Sequence, residues 1–265
     1  MRTVSIGAVT VAALVDTEQA YAATMVYPGA GTLLDEYRQF ITAEGDVTLN
    51  FASFLIRDGD TTVLVDTGWG PEYEGQLLRE LELTGVAPSE VDMVMFTHLH
   101  GDHTGWNIDR ATGKPLFGGA RYLTPQGDWD LYSKEPSPAS FVRDMLPLER
   151  DGVLEHICGE RTLTSSMTII PTPGHTPGHM SLAISSHGEH GFVLGDVSIS
   201  PIDVEHPELE SPFDSDHVLA TRTRQSTIPS LAAKNTLIAA SHLPAPGLGH
   251  YVSKGERYCW QALPD

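Results

Sequence analysis

Six consecutive positions, His98-Leu99-His100-Gly101-Asp102-His103, carry three imidazoles and a carboxylate in the order His-x-His-x-Asp-His. Both side-chain types are ordinary ligands of divalent transition metals. The apolar run from Val91 to Phe96 just before them reads as a buried strand. On extended backbone, His98 and His100 lie two apart and project the same way. Gly101 permits a sharp turn, after which Asp102 and His103 can point at a second location close by. The spacing therefore predicts one short loop that supplies ligands to two metal ions. The plainer alternative is a polar loop that happens to be rich in histidine.

Other metal-binding side chains recur where β-rich runs end. Asn50 to Ile56 and Thr62 to Val65 flank Arg57-Asp58-Gly59-Asp60, a hairpin signal, and the second run ends at Asp66. Met167 to Pro171 leads into Thr172-Pro173-Gly174-His175, and the pair Met180 to Ile184 and Gly191 to Leu194 ends in Gly195-Asp196. Thr236 to Ala240 delivers Ser241-His242. His179, four past His175, is read as a hydrogen-bonding group within its loop, and His156, His187, His190, His206 and His217 as surface or structural groups. His250, eight past His242, is a candidate to overlook the site.

The elements between these points follow from local pattern. Residues 3–15 alternate around Gly7 as a strand pair, and 17–47, without clear period, read as a loop or flap. Glu72 to Leu83 is predicted helical, with Leu77, Leu78 and Leu81 on one face and Gly85 as its stop. Arg121 to Leu123 is a brief strand, Pro125 opens a helix through Tyr132, and Phe141 to Leu148 is another helical piece. Asp214-Ser215-Asp216 offers an N-cap for a helix over 217–227, with Pro229 breaking it or starting a new one. Gly249 to Gln261 reads as a hairpin around Ser253-Lys254-Gly255. Trp106, Trp129, Phe141 and Met145 are candidates to wall a pocket, although aromatics on a helix serve equally as core.

At 265 residues the chain can bury one sizeable core, and it is read as a single domain over 1–265. The formal charge of −19 argues against nucleic-acid and anionic-membrane partners, which call for basic patches. No apolar run reaches transmembrane length. The first 22 residues superficially resemble a signal peptide, but Thr3, Ser5 and Thr10 interrupt the apolar stretch, and the strand-pair reading is preferred. That reading implies a cytoplasmic protein, and Cys158 and Cys259, the only cysteines and in no Cys-x-x-Cys pair, fit two free thiols in a reducing compartment, with a single disulfide as the alternative.

Taken together, His98/His100/Asp102/His103, His175, Asp196 and Ser241-His242 resemble the signature of the metallo-β-lactamase superfamily, over at least Asp66 to His242. That resemblance implies an α/β fold, an αββα sandwich of two mixed sheets flanked by helices, with a dinuclear site at one edge. It further implies a first metal on His98, His100 and His175, a second on Asp102, His103 and His242, and Asp196 bridging both. Asp66 would orient a ligand histidine from behind. A ligand set dominated by imidazole suits two zinc ions, with manganese, iron or cobalt as other occupants. Two cations lower the pKa of a shared water and polarise a carbonyl or phosphoryl oxygen, and Asp102 is the natural acceptor for the released proton.

Departures narrow the substrate. A bridging aspartate sets the chain apart from the zinc β-lactamases, and the loop lacks the Glu of flavodiiron proteins. Acyl-homoserine lactonases carry Tyr three residues past the bridge, where this chain has Ile199. Phe213 to Asp216 and Ala240 to His250 are similar to the branch that contains methyl parathion hydrolase and related arylesterases and lactonases. The expectation is a hydrolase of small ester or lactone substrates, promiscuous toward organophosphate triesters. A dedicated phosphotriesterase, a mononuclear-iron sulfur dioxygenase and a non-catalytic binding protein are the alternatives. By analogy with the family, a homodimer is allowed.

Overall fold

The computed structural model describes residues 2–264, folded as two seven-stranded sheets packed face to face with helices outside. The first sheet runs in chain order through β1 (Arg2–Ile6), β2 (Val9–Ala22), β3 (Asp46–Asp58), β4 (Thr61–Val65), β5 (Met93–Met95), β6 (Arg121–Pro125) and β7 (Leu154–Ile157). Its first four strands pair antiparallel and its last four parallel. The second comprises β8 (Arg161–Thr162), β9 (Met167–Pro171), β10 (Met180–Ser186), β11 (Glu189–Val193), β12 (Leu237–Ala239), β13 (Leu248–Lys254) and β14 (Arg257–Ala262). There only β11 and β12 run parallel. This is the mixed-sheet αββα sandwich expected from the resemblance.

Alternation along the strands builds the layers. Val11, Phe54, Ile56, Val63 and Val65 point between the sheets, where they meet Met167, Ile169, Leu182 and Val193. Leu14, Leu55, Leu64 and Val94 face the other way, onto Leu77 and Leu81 of the helix Leu77–Leu83 and onto Phe141 and Leu148. Behind the second sheet, Leu194, Ile238 and Tyr251 pack on Ile228 and Leu231 of the helix His217–Ala233.

Several local expectations give way to long-range contacts. Residues 17–47 are not a loop throughout. β2 continues to Ala22 because it stays paired with β3, and beyond it a short helix and a 3₁₀ segment, Gly31–Phe40, bury Tyr27 and Tyr37 over β3. Pairing register of this kind leaves no mark in local periodicity. Phe141 to Leu148 forms two helices, Ala139–Asp144 and Leu146–Arg150, since Pro147 has no N–H with which to continue the ladder. Pro229 neither ends nor starts a helix: the segment runs unbroken from His217 to Ala233, with Ile228 and Leu231 on either side of the proline buried against the second sheet. No helix among the described residues is long and apolar enough to cross a membrane.

β2 holds one irregularity with consequences. Its register with β3 shifts between Val15 and Thr17, leaving Asp16 as the extra residue of a bulge. The bulge turns this carboxylate onto the backbone N–H groups of Trp69 and Leu77, each at 2.8 Å, and onto the indole N–H of Trp106, also at 2.8 Å.

Candidate metal centre

Seven side chains meet at one rim of the sandwich, each delivered by the C-terminal end of a strand. β5 ends in the His98–His103 loop, β9 in the His175 loop, β11 in Asp196 and β12 in His242. Gly101 works differently from expectation. It opens a helical turn, Gly101–Thr104, at ordinary negative φ, and its missing side chain is needed because a Cβ there would lie 2.9 Å from that of Ser140.

The donor atoms sort into two groups, His98/His100/His175 and Asp102/His103/Asp196/His242, each with its members within 4.8 Å of one another. In the first, His100 Nδ1 lies 3.0 Å from His98 Nε2 and 3.1 Å from His175 Nε2. In the second, Nε2 of His103 and of His242 are 3.3 Å apart, and Asp102 Oδ2 is 3.3 and 3.4 Å from them. Asp196 faces both: Oδ2 is 3.3 Å from His175 Nε2 and 3.1 Å from His242 Nε2, while Oδ1 is 3.4 Å from His103 Nε2. Nitrogens about 2.05 Å from a tetrahedral zinc are spaced about 3.3 Å from each other, so the separations suit an ion at the centre of each group.

The backs of the rings fix which nitrogen faces inward. His242 Nδ1–H donates to the Asn50 carbonyl at 2.7 Å, His103 Nδ1–H to Asp66 at 2.9 Å and His175 Nδ1–H to Asp214 at 3.1 Å. Thr97 Oγ1 gives its proton to Asp66 at 2.7 Å and so accepts from His98 Nδ1 at 3.1 Å. Four Nε2 atoms are thereby aimed at the cluster, as histidines behind a metal require. Asp66 holds this position at φ 60°, a conformation that Asp tolerates and that its bonds to Thr97 and His103 secure. Asp214 also receives Arg224 at 3.0 Å. Asp128 ties two ligand loops together, accepting Leu99 N–H at 3.0 Å, Thr176 Oγ1–H at 2.8 Å and Gly178 N–H at 2.7 Å.

Burial carries His98 well down and His100 to about 4. His242 goes the other way: against burial, Asp196 and Asp102 push it up to about 10, and His103 is raised by the same carboxylates together with Asp66. Asp196 Oδ1 is buried with no hydrogen-bond partner among the described residues. Buried carboxylates and inward-facing imidazole nitrogens, with one carboxylate oxygen left without a hydrogen bond, are a donor set that a positive ion satisfies.

A cavity of about 550 Å³ opens above the cluster, walled by Tyr21, Leu49, Phe51, Trp69, Ile199 and Phe213. Of the residues expected to line a pocket, Ile199 is on this wall. Trp129, Phe141 and Met145 are not: they fill the core outside the first sheet, as apolar side chains of helices commonly do. Trp106 lies beside that core with its indole spent on Asp16. His250 is carried away from the rim by β13, bonds the Thr236 carbonyl and borders a separate cavity. His179 bonds Thr172 at the start of its own loop and accepts the backbone N–H of Asp196 from beyond β11. Sequence reasoning missed Tyr21, Phe51 and Trp69, and it read Asp214 only as part of a cap, whereas the cap of the helix is Asp216, which accepts Leu219 N–H. The one sequence signal for Asp214 was its place in the Phe213–Asp216 stretch.

The sequence profile of the Metallo-beta-lactamase superfamily matches residues 52–242. Metallo-beta-lactamase domain-containing protein 1 of Xenopus laevis is 34% identical over 156 residues, which are 59% of this chain and 55% of that protein. The chain thus spans about half the length of this curated relative. An N-acyl homoserine lactonase of a Bacillus species is 26% identical over 194 residues, covering 64% of this chain and 73% of that one. Among solved structures, that of AidC, described as a dizinc quorum-quenching lactonase, superposes with a TM-score of 0.86 at 23% identity, over 100% of this chain and 97% of that one.

Proposed function

The chain belongs to the metallo-β-lactamase superfamily, and from that membership we propose that it is a dinuclear zinc hydrolase of carboxylic esters or lactones. The observation that carries the reading is Asp196, set between two separate donor groups beneath an apolar cavity. In this reading His98, His100 and His175 hold one ion, Asp102, His103 and His242 the other, and Asp196 is shared. Zinc suits a set dominated by imidazole, with manganese, iron and cobalt as competitors.

The bound ions would supply Lewis acidity, polarising the ester carbonyl and making water a nucleophile at neutral pH. The chain's own groups do the rest. Asp102 borders the cavity and would relay the proton of the attacking hydroxyl to the alkoxide expelled as the C–O bond breaks, so that carboxylate and alcohol leave. Asp66, Asp214, Thr97 and the Asn50 carbonyl keep the imidazoles in register. Leu49, Phe51, Ile199 and Phe213 exclude water and favour a neutral, largely apolar substrate, in keeping with the −19 charge. The lactonases among the relatives and structural neighbours support a lactone or ester over other acyl compounds. The aromatic wall of Phe51 and Trp69, with ring centroids 5.5 Å apart, also favours the flat leaving groups of aryl phosphotriesters, the second reading. Free Cys158 and Cys259 fit a cytoplasmic setting.

The test is a panel of p-nitrophenyl esters, lactones and paraoxon-type triesters against the zinc-loaded protein, with metal content measured by elemental analysis. Two zincs per chain and the highest kcat/KM on esters or lactones are expected. A preference for triesters would favour the second reading. One iron per chain, or no hydrolysis of any activated ester after zinc loading, would overturn both.

A further inference from the structure

We propose that Tyr21, from the first sheet's β2, is the hydrogen-bond donor that binds the substrate oxygen on which negative charge develops. The inference rests on the hydrolase reading above. It starts from an inventory of the cavity wall. Away from the donor cluster the lining is Leu49, Phe51, Trp69, Ile199, Pro212 and Phe213, none of which offers an accessible side-chain donor, since the Trp69 indole nitrogen is buried. Asp214 is occupied by His175 and Arg224. Tyr21 and Ser215 are left as hydroxyl donors on the wall.

Of these two, Tyr21 is the one held in place. Its backbone is paired with Val47 in the ladder between β2 and β3, and its ring lies 6.5 Å from that of Phe51, which in turn stands edge-on to His242 at 4.8 Å. Ser215, by contrast, is exposed at the lip. The Tyr21 ring is half-buried, and its hydroxyl bonds nothing among the described residues. Burial raises the pKa of the phenol, which keeps it protonated, and so a donor, at neutral pH. Tyr21 is a strand-borne phenol on the wall of a largely apolar cavity, and its hydroxyl is free to take a ligand partner. It gains that partner when substrate binds, and the bond strengthens as the oxygen gains charge.

The test is Tyr21→Phe in the metal-loaded protein, with the lactone and p-nitrophenyl ester turned over best. The expected result is a fall in kcat of about 100- to 1000-fold, with KM, metal content and Tm close to the parent. Adding Ile199→Tyr, which offers a hydroxyl from another part of the same wall, is expected to recover part of the loss. An unchanged kcat, or a fall explained by lost metal or by KM alone, would overturn the proposal. Calorimetric binding of an alkylphosphonate monoester, a stable mimic of the charged species, gives a readout without turnover. Tyr21→Phe is expected to weaken it about tenfold, and equal affinity would overturn the assignment. Should the parent hydrolyse nothing, the hydrolase reading fails while this measurement still decides the role of Tyr21.

Discussion

The ring of His179 accepts the backbone N–H of Asp196 through Nε2 at 2.9 Å, so a histidine that faces no ion sets the carboxylate shared by both donor groups. With Nε2 accepting, Nδ1 carries the proton and gives it to Thr172 Oγ1 at 2.9 Å. That hydroxyl donates to Ser181 at 2.8 Å, which ends the chain on the Leu194 carbonyl at 2.9 Å. Burial pushes His179 down to about 3, which keeps the ring neutral and able to accept. His179→Ala is expected to weaken zinc binding roughly 10- to 100-fold, as loss of a group behind a ligand commonly does. A competitive chelator titration checks this, and unchanged affinity would reduce His179 to a packing role.

Asp196→Asn keeps the shape and removes the charge that faces both groups. Metal content is expected to drop below two per chain, and activity to fall at least roughly 100-fold with it. Elemental analysis beside an ester assay decides, and full activity with two metals would refute the shared role.

Asp16 predicts a separation of binding from metal content. Its carboxylate holds the Trp69–Leu77 segment, whose Trp69 walls the cavity, yet it touches no ligand. Asp16→Ala strands buried N–H donors and is expected to cost about 3 kcal/mol of stability. KM should rise severalfold while both metals stay bound. Thermal unfolding and steady-state kinetics read the two effects, and a KM equal to the parent's would show that the wall does not depend on this anchor.

The pH response of the metal-free protein carries a sign. His242, pushed up to about 10 by Asp196 and Asp102 against the effect of burial, contributes stability that is complete below its unfolded value of about 6.5. That contribution is lost as pH rises toward about 10. Zinc must expel the same protons, from His103 as well as His242, so apparent affinity should climb across this interval, with roughly two protons released per chain at pH 7. Calorimetry in buffers of different ionisation enthalpy counts them. No proton release would contradict the charge state assigned to the empty cluster.

How much of this could be read from the chain depends on distance along it. The loop His98–His103 announces itself because ligand types and spacing are local, and His175, Asp196 and His242 follow because each ends an apolar run. The strands were legible for the same reason, through alternation and turn residues. Asp16 and Tyr21 were not, since a bulge in β2 and pairing with β3 some thirty residues away decide where they point. Asp214 was hidden behind a commoner role, the helix cap that Asp216 in fact fills. Trp129, Phe141 and Met145 show the converse: large side chains draw attention in a sequence, but bulk alone does not tell a cavity wall from a core.

Four of the seven donors hang from the loop after β5 in one sheet, and three come from the other. An ion pair gripped from both sides would act as a rivet through the sandwich at its open rim, where apolar packing gives way to solvent. Resistance to unfolding then tracks free metal concentration rather than sequence alone. Scarcity of the ion would silence the protein twice over, by emptying the site and by letting the two layers shear apart where it sat.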